Sequence, residues 1–325
     1  MPSSDTVPVA LIQAEIAPSL EEGLERSSKL ALEAAGQGAR LLVFPETWLP
    51  GYPAWIDLCR DAALWNHPPT QRAFAGIVEE SVTVPGPACG RLAALARELA
   101  VTMVVGVSER VDSGPGRHTL YNSLLTFGPE GDLLNHHRKL VPTYTERLIW
   151  GPGDGDGLRA VDTPAGRVSS LVCWEHWMPL PRQVLHESGE DIHVAVWPTV
   201  HEMHQVASRQ YAFEGRCFVL ASGGLMKAAA LPVELEPHPE RVSGPDDWVL
   251  RGGSAIIGPD GFYLTEPLFD EAAVIVAELD LARIREQSMT LDVTGHYHRP
   301  ELFDLSVRPS GRTVERAANE LLPND

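Results

Sequence analysis

The stretch Ser169-Ser170-Leu171-Val172-Cys173-Trp174-Glu175-His176-Trp177-Met178-Pro179-Leu180 begins as an apolar run and turns abruptly polar and aromatic at Cys173. The run follows a Thr163–Gly166 turn and reads as a buried strand, while Pro179 and the residues through His186 read as the start of a helix. Cys173 therefore falls on a strand-to-helix corner. Backbone N–H groups and the positive end of a helix dipole meet at such a corner, and both favour thiolate over thiol. An isolated cysteine, by contrast, is among the most buried of residue types. A chemical role for Cys173 requires partners from elsewhere in the chain.

Working outward, strands and helices alternate on both sides. Pro8–Gln13 reads as a first strand. Ser19 and Glu22 form a capping box for a helix that carries Leu20, Leu24, Ser27, Ala31 and Ala34 at helical spacing and ends at Gly36 and Gly38. Arg40–Glu46 is a second strand whose far end delivers a carboxylate, as strand ends do in strand–helix–strand units. A Pro- and Trp-rich loop from Thr47 through Trp65 and Pro69 continues into a segment around Phe74 and Ile77. It either walls a pocket, makes a subunit contact, or is a surface excursion with buried aromatics. Pro87–Leu99 is a helix and Val101–Val107 a strand. Tyr121–Phe127 and Asp132–Lys139 form a pair of strands joined by the Gly128–Gly131 turn, the second of which delivers Arg138 and Lys139. A similar turn, Gly258-Pro259-Asp260-Gly261, hints at two pseudo-equivalent halves.

Leu140–Gly157, rich in Gly and Pro, reads as a loop with defined turns and contains Glu146. Beyond Cys173, the pattern continues with the strand Ile192–Trp197, a helix near Glu202–Glu214, the segment Cys217–Ala221, an exposed connection Leu231–Trp248 and a late strand Ala273–Leu279. The chain beyond Ser288 is polar and reads as an arm on a neighbour or a solvated extension. The expected organisation is one domain over residues 1–290 with a C-terminal extension over 291–325.

Composition narrows the function. The 325 residues are 44% hydrophobic, ample for a packed core, and carry a formal charge of -18 with a pI near 5.0. Such an acidic surface disfavours nucleic acid and anionic membranes as partners and favours a small-molecule substrate. No segment holds the ~18 uncharged residues of a membrane span, and the start of the chain lacks a basic-then-apolar leader. A cytoplasmic protein is expected. The four cysteines, Cys59, Cys89, Cys173 and Cys217, are too scattered for a disulfide framework or a cysteine-built metal site. His201-Glu202-Met203-His204 lacks the four-residue histidine spacing of helical zinc proteases and reads as polar residues opening a helix. No metal and no cofactor are expected.

Glu46, Lys139 and Glu146 stand at strand ends or in loops where a buried charge would be costly without a purpose. With Cys173 they have the makings of a thiol hydrolase site without a histidine partner. Phe44-Pro45-Glu46 leading to Pro50-Gly51-Tyr52-Pro53, then His137-Arg138-Lys139-Leu140 with Pro142-Thr143 and Glu146-Arg147, then Cys173-Trp174-Glu175-His176 with Pro179-Leu180, together resemble the nitrilase branch of the carbon-nitrogen hydrolase superfamily. His296-Tyr297-His298-Arg299-Pro300 also resembles a C-terminal motif of that branch. The resemblance implies an αββα sandwich, two sheets with helices outside, that pairs into a four-layer αββα-αββα core as a homodimer or a larger spiral homo-oligomer. It implies Glu46 as general base, Lys139 as electrostatic stabiliser, Glu146 as a second carboxylate and Cys173 as nucleophile, acting on a nitrile to give acid and ammonia. Tyr52, Trp174 and Trp197 are the expected substrate contacts. An amidase or carbamoylase of the same superfamily shares all four residues and is the nearest alternative, followed by a non-catalytic interaction protein.

Overall fold

A computed structural model describes residues 6–308 and residue 310. Its first half opens with β1 (Thr6–Gln13), α1 (Leu20–Gly36) and β2 (Leu41–Val43). Ser19 caps α1 by accepting the Glu22 N–H, the first half of the expected capping box, while the Glu22 carboxylate accepts the Ser19 hydroxyl in place of the Ser19 N–H. β2 is shorter than its apolar run because Pro45 has no N–H to continue a ladder. The aromatic loop carries the short helix α2 (Trp55–Leu58), and the segment around Phe74 is the helix α3 (Pro68–Glu80), with Pro at its first positions where no N–H is missed. Next come α4 (Pro87–Leu99), β3 (Thr102–Arg110), β4 (Leu120–Phe127) and β5 (Leu133–Arg138). The loop after β5 forms one turn of 3₁₀-helix at Tyr144–Leu148.

The second half repeats the plan. A short β6 (Val161–Thr163) precedes β7 (Gly166–Val172), α5 (Pro179–Glu187), β8 (Ile192–Trp197), α6 (Glu202–Gly215), β9 (Phe218–Gly223), β10 (Leu225–Lys227), β11 (Trp248–Ile257) and β12 (Tyr263–Phe269). β13 (Ala273–Asp280) and α7 (Ala282–Gln287) follow.

In the first sheet β1, β2 and β3 run parallel, with β4 and β5 added antiparallel. In the second sheet β7, β8 and β9 run parallel, with β11 and β12 added antiparallel. The two Gly-Pro-x-Gly turns close the equivalent hairpins with the same bonds: Gly128 N–H to Asp132 O and Gly131 N–H to Gly128 O in one, Gly258 N–H to Phe262 O and Gly261 N–H to Gly258 O in the other. The echo in the sequence thus marks corresponding corners of two similar halves. β13 returns to pair antiparallel with β1 across its whole length.

Alternation along the strands sorts the core into layers. Val9 and Leu11 of β1, Leu41 and Val43 of β2 and Val104 of β3 pack toward the second sheet, with Val172, Val194 and Leu220. Ala10, Ile12, Leu42, Met103 and Val105 pack on the other side, with Leu24 and Ala31 of α1 and Leu92 and Ala96 of α4. Ala207, Tyr211 and Ala212 of α6 cover the outer face of the second sheet. The protein is an αββα sandwich, and its inner strands are apolar on both faces as that arrangement demands.

Both halves send chain out of strand ends toward one region. The segment after β2 presses onto β3 at Gly106, where an added Cβ would lie 2.2 Å from Pro45 O, 2.6 Å from Thr47 N and 2.9 Å from Glu46 Cα. All three neighbours are backbone and cannot swing away. Gly106→Ala is therefore expected to destabilise the fold by about 1–3 kcal/mol or more and to displace Glu46, as read from urea unfolding midpoints. An unchanged midpoint would contradict this close approach.

Candidate active site

Four buried side chains from four separate segments meet between the strand ends. Glu46 follows β2, Lys139 follows β5, Glu146 sits in the 3₁₀ turn and Cys173 follows β7; none is more than 4% exposed. Lys139 Nζ donates to Glu146 Oε2 at 2.6 Å and to Glu46 Oε1 at 3.2 Å. A carboxylate oxygen of Glu46, one of Glu146 and Cys173 Sγ lie within 4.8 Å of one another. All four residues singled out by sequence are thus brought together.

Local structure holds each in place. Glu146 is the third residue of a capping box, taking the Thr143 N–H at 2.7 Å, so the turn that places it also satisfies it. Its other oxygen accepts the Tyr52 hydroxyl at 3.1 Å. Lys139 is anchored by its own N–H to Asn122 O at 2.7 Å. The same Asn122 donates its side-chain amide to Glu46 Oε1 at 2.6 Å. Asn122 was not singled out by sequence, and a polar residue inside an apolar strand was the available signal. Glu46 Oε2 is buried and has no hydrogen-bond partner among the described residues.

Cys173 adopts φ +52° and begins a 3₁₀ turn, Cys173–Trp177, inserted between β7 and α5. Its protonation differs from the sequence expectation. Burial pushes the thiol well up, Glu46 and Glu146 push it further, and Lys139 and the Trp174 N–H oppose them without prevailing. The corner argument omitted the cost of desolvating a thiolate beside two carboxylates. The thiol rests neutral and must lose its proton as it reacts. Glu46 is suited to receive it: burial raises its carboxyl to about 7, against the pull of Lys139 and with a push from Glu146. Burial alone would lower Lys139, but Glu46 and Glu146 hold it above its ordinary value, so it stays charged. A metal ion held by the oxygens and sulfur of Glu46, Glu146 and Cys173 would meet this ammonium, which already supplies the positive charge between the carboxylates.

A cavity of about 450 Å³ opens onto Cys173 and Glu146. Tyr52 and Trp174, the expected substrate contacts, line it together with Leu58 of the aromatic loop, Leu250 and His204. The loop after Glu46 therefore walls this pocket and also buries Trp55. Trp197 is not among the lining residues. It is fully buried and stacked between His176 at 4.7 Å and His204 at 4.4 Å, so it supports the wall from behind. His201 and His204 do open a helix, α6, as their spacing indicated, and both also face the cavity. Their place there depends on the packing of α6 against Trp197, which spacing does not reveal.

The carbon-nitrogen hydrolase family pattern matches residues 8–288. A bifunctional nitrilase/nitrile hydratase of Lupinus angustifolius is 38% identical over 293 residues, covering 88% of this chain and 81% of that one. A nitrilase of Paraburkholderia phymatum is 35% identical over 342 residues, covering 98% and 95%. Among solved structures, a Saccharomyces cerevisiae member of branch 10 of the nitrilase superfamily superposes with a TM-score of 0.68 at 19% identity, over 91% of this chain and 98% of that one, a likeness of fold.

The coupling of Cys173 to Glu46 has a direct readout. Alkylation of Cys173 by iodoacetamide, followed by peptide mass mapping, should accelerate as pH rises through an apparent midpoint near the Glu46 value of about 7. Glu46→Gln should remove that limb and leave only the rise of the buried thiol at high pH. A wild-type profile without a limb near neutrality would show that Glu46 does not take the thiol proton.

Proposed function

The chain belongs to the carbon-nitrogen hydrolase family, and from that membership we propose that it is a nitrilase, converting an organic nitrile to the carboxylic acid and ammonia. The observation that carries the reading is the convergence of Glu46, Lys139, Glu146 and Cys173 in a chain whose relatives at 35–38% identity over most of its length are named nitrilases. Glu46 is the general base, Lys139 the electrostatic stabiliser and Cys173 the nucleophile. Glu146 orients Lys139 through the bond to its ammonium.

In this reading Cys173 attacks the nitrile carbon as Glu46 takes the thiol proton and passes it to nitrogen, forming a thioimidate. Water, deprotonated by Glu46, adds to the same carbon, and the proton again goes to nitrogen. The tetrahedral intermediate is held by Lys139; a further proton from its hydroxyl, carried by Glu46, lets ammonia leave and the thioester form. A second water cleaves the thioester, giving the acid and restoring the thiol. Expulsion of the thiol from the tetrahedral intermediate instead would release the amide. The bifunctional name of the Lupinus angustifolius relative supports such a branch. Fixed charges in a water-excluding site suit these steps, since charge moves repeatedly without solvent having to reorganise. Tyr52 and Trp174 contact the substrate, and His204 joins them at the cavity wall.

Residues 1–290 form the catalytic domain and 291–325 an extension; position 309 and residues 311–325 of that extension lie outside the described residues. A second copy of the chain is the proposed partner, giving a four-layer αββα-αββα core and larger spirals. Exposed apolar side chains on the outer helices, Leu180 of α5 with Met203, Val206 and Phe213 of α6, support this pairing. Among the described residues no helix is long and apolar enough to cross a membrane. Four unpaired cysteines support residence in the reducing cytoplasm.

Cys173→Ala should abolish ammonia release. Glu46→Gln and Lys139→Ala should remain folded while the rate falls by about 10³-fold or more, the scale set by loss of a preorganised charge. Ammonia release from a nitrile panel should exceed that from the matching amides. Faster turnover of the amides would replace the nitrilase reading with an amidase, and normal activity of Lys139→Ala would remove Lys139 from the mechanism.

A further inference from the structure

Glu175, two residues beyond Cys173, is fully buried and does not line the cavity. Its carboxylate reaches back to accept the Val172 N–H at 2.7 Å through Oε2. Through Oε1 it accepts the Leu140 N–H at 2.8 Å. His137 Nε2 completes the set at 2.9 Å from Oε2 and 3.2 Å from Oε1. Burial would push this carboxyl up, yet His137 and the two backbone N–H groups hold it below its ordinary range.

The partners are the point of interest. Val172 immediately precedes Cys173 at the end of β7 in the second sheet, and Leu140 immediately follows Lys139 at the end of β5 in the first. One carboxylate thus grips the main chain beside both residues and sets the spacing between two sheets at the place where thiol and ammonium must meet. No backbone ladder joins these two strand ends, because they belong to different sheets. We propose that Glu175, braced by His137, is a positioning residue that fixes Lys139 relative to Cys173 for the tetrahedral step, and that it does so through its two separate oxygens. An amide at this position could offer only one acceptor, and its NH₂ would face an N–H donor at the other grip, whichever way it turned. The proposal rests on the nitrilase reading for its substrate, but its geometry concerns the Cys173–Lys139 pair alone.

The test compares Glu175→Gln and Glu175→Asp with wild type. Folded content is checked by unfolding, and active sites are counted by alkylation of Cys173. Per active site, Glu175→Gln should lose about 10²-fold in kcat, the scale of an ångström of misplacement, while KM changes less than about threefold. The amide share of the product should rise, since expelling ammonia needs Lys139 and Glu46 in register whereas expelling the thiol does not. Glu175→Asp keeps charge and both oxygens but withdraws them by one methylene, and should fall between the two; it keeps the test readable if the Gln variant does not fold. A purely structural role would reduce the number of active sites and leave kcat per site and the acid-to-amide ratio unchanged, and that result would overturn the proposal. If the wild type turns over amides and not nitriles, the nitrilase reading fails, and the positioning role is read from kcat per site on the amide and from the rate of Cys173 alkylation. Equal values in wild type and both variants would then overturn it.

Discussion

The Lys139 ammonium, held between the carboxylates of Glu46 and Glu146, is the interaction on which the site depends. A charge this deeply buried costs several kcal/mol to desolvate and persists only where opposite charges and hydrogen bonds surround it. Lys139 has both, and its neighbours are themselves held: Glu146 by Thr143 and Tyr52 through both oxygens, Glu46 by Asn122 through Oε1. The arrangement also explains the protonation of its members. With two carboxylates and one ammonium sharing a dry space, the Glu46 carboxyl rises to about 7, and the thiol of Cys173 stays protonated until something can accept its proton.

The fold supplies this cluster by repetition. Each half is a parallel strand–helix unit finished by an antiparallel hairpin, and facing the two sheets brings the chain after β2 and β5 of one half against the chain after β7 of the other. Strand ends are where backbone ladders stop, so side chains there can be turned toward a shared cavity without breaking the core. The cost is that positions across the gap between sheets are not fixed by ladder bonds. Gly106 lets the Glu46 segment lie directly on β3, and Glu175 ties the end of β7 to the end of β5. Both are constraints on spacing, and neither touches the cavity.

Much of this was legible in the sequence because it is local. The N-cap at Ser19, the hairpin turns at Gly128 and Gly258, the helix from Pro87 and the strand ending at Trp197 are read from neighbours a few residues apart. The four charged or nucleophilic site residues were legible because carboxylates and a lysine at strand ends or in loops demand a reason, and because the motifs around them and Cys173 stand in the order of a known family's motifs. What was not legible depends on packing between distant segments. The strand containing Asn122 showed an odd polar residue but not its reach to Glu46. Trp197 ended a strand as expected, yet its ring is buried against His204 and does not line the cavity. The thiolate expected at Cys173 failed because a corner of the chain is a local feature, whereas desolvation by two packed sheets is not.

Rapid mixing with a nitrile, acid quench and peptide mass mapping tests the proposed chemistry most directly. The expected result is a transient adduct on the peptide containing Cys173, with the mass of the intact nitrile for the thioimidate or of the acyl group for the thioester, absent from the peptides of Cys59, Cys89 and Cys217. Turnover of the nitrile with no adduct on Cys173 at any time before the steady state, or with the adduct on another cysteine, would contradict it.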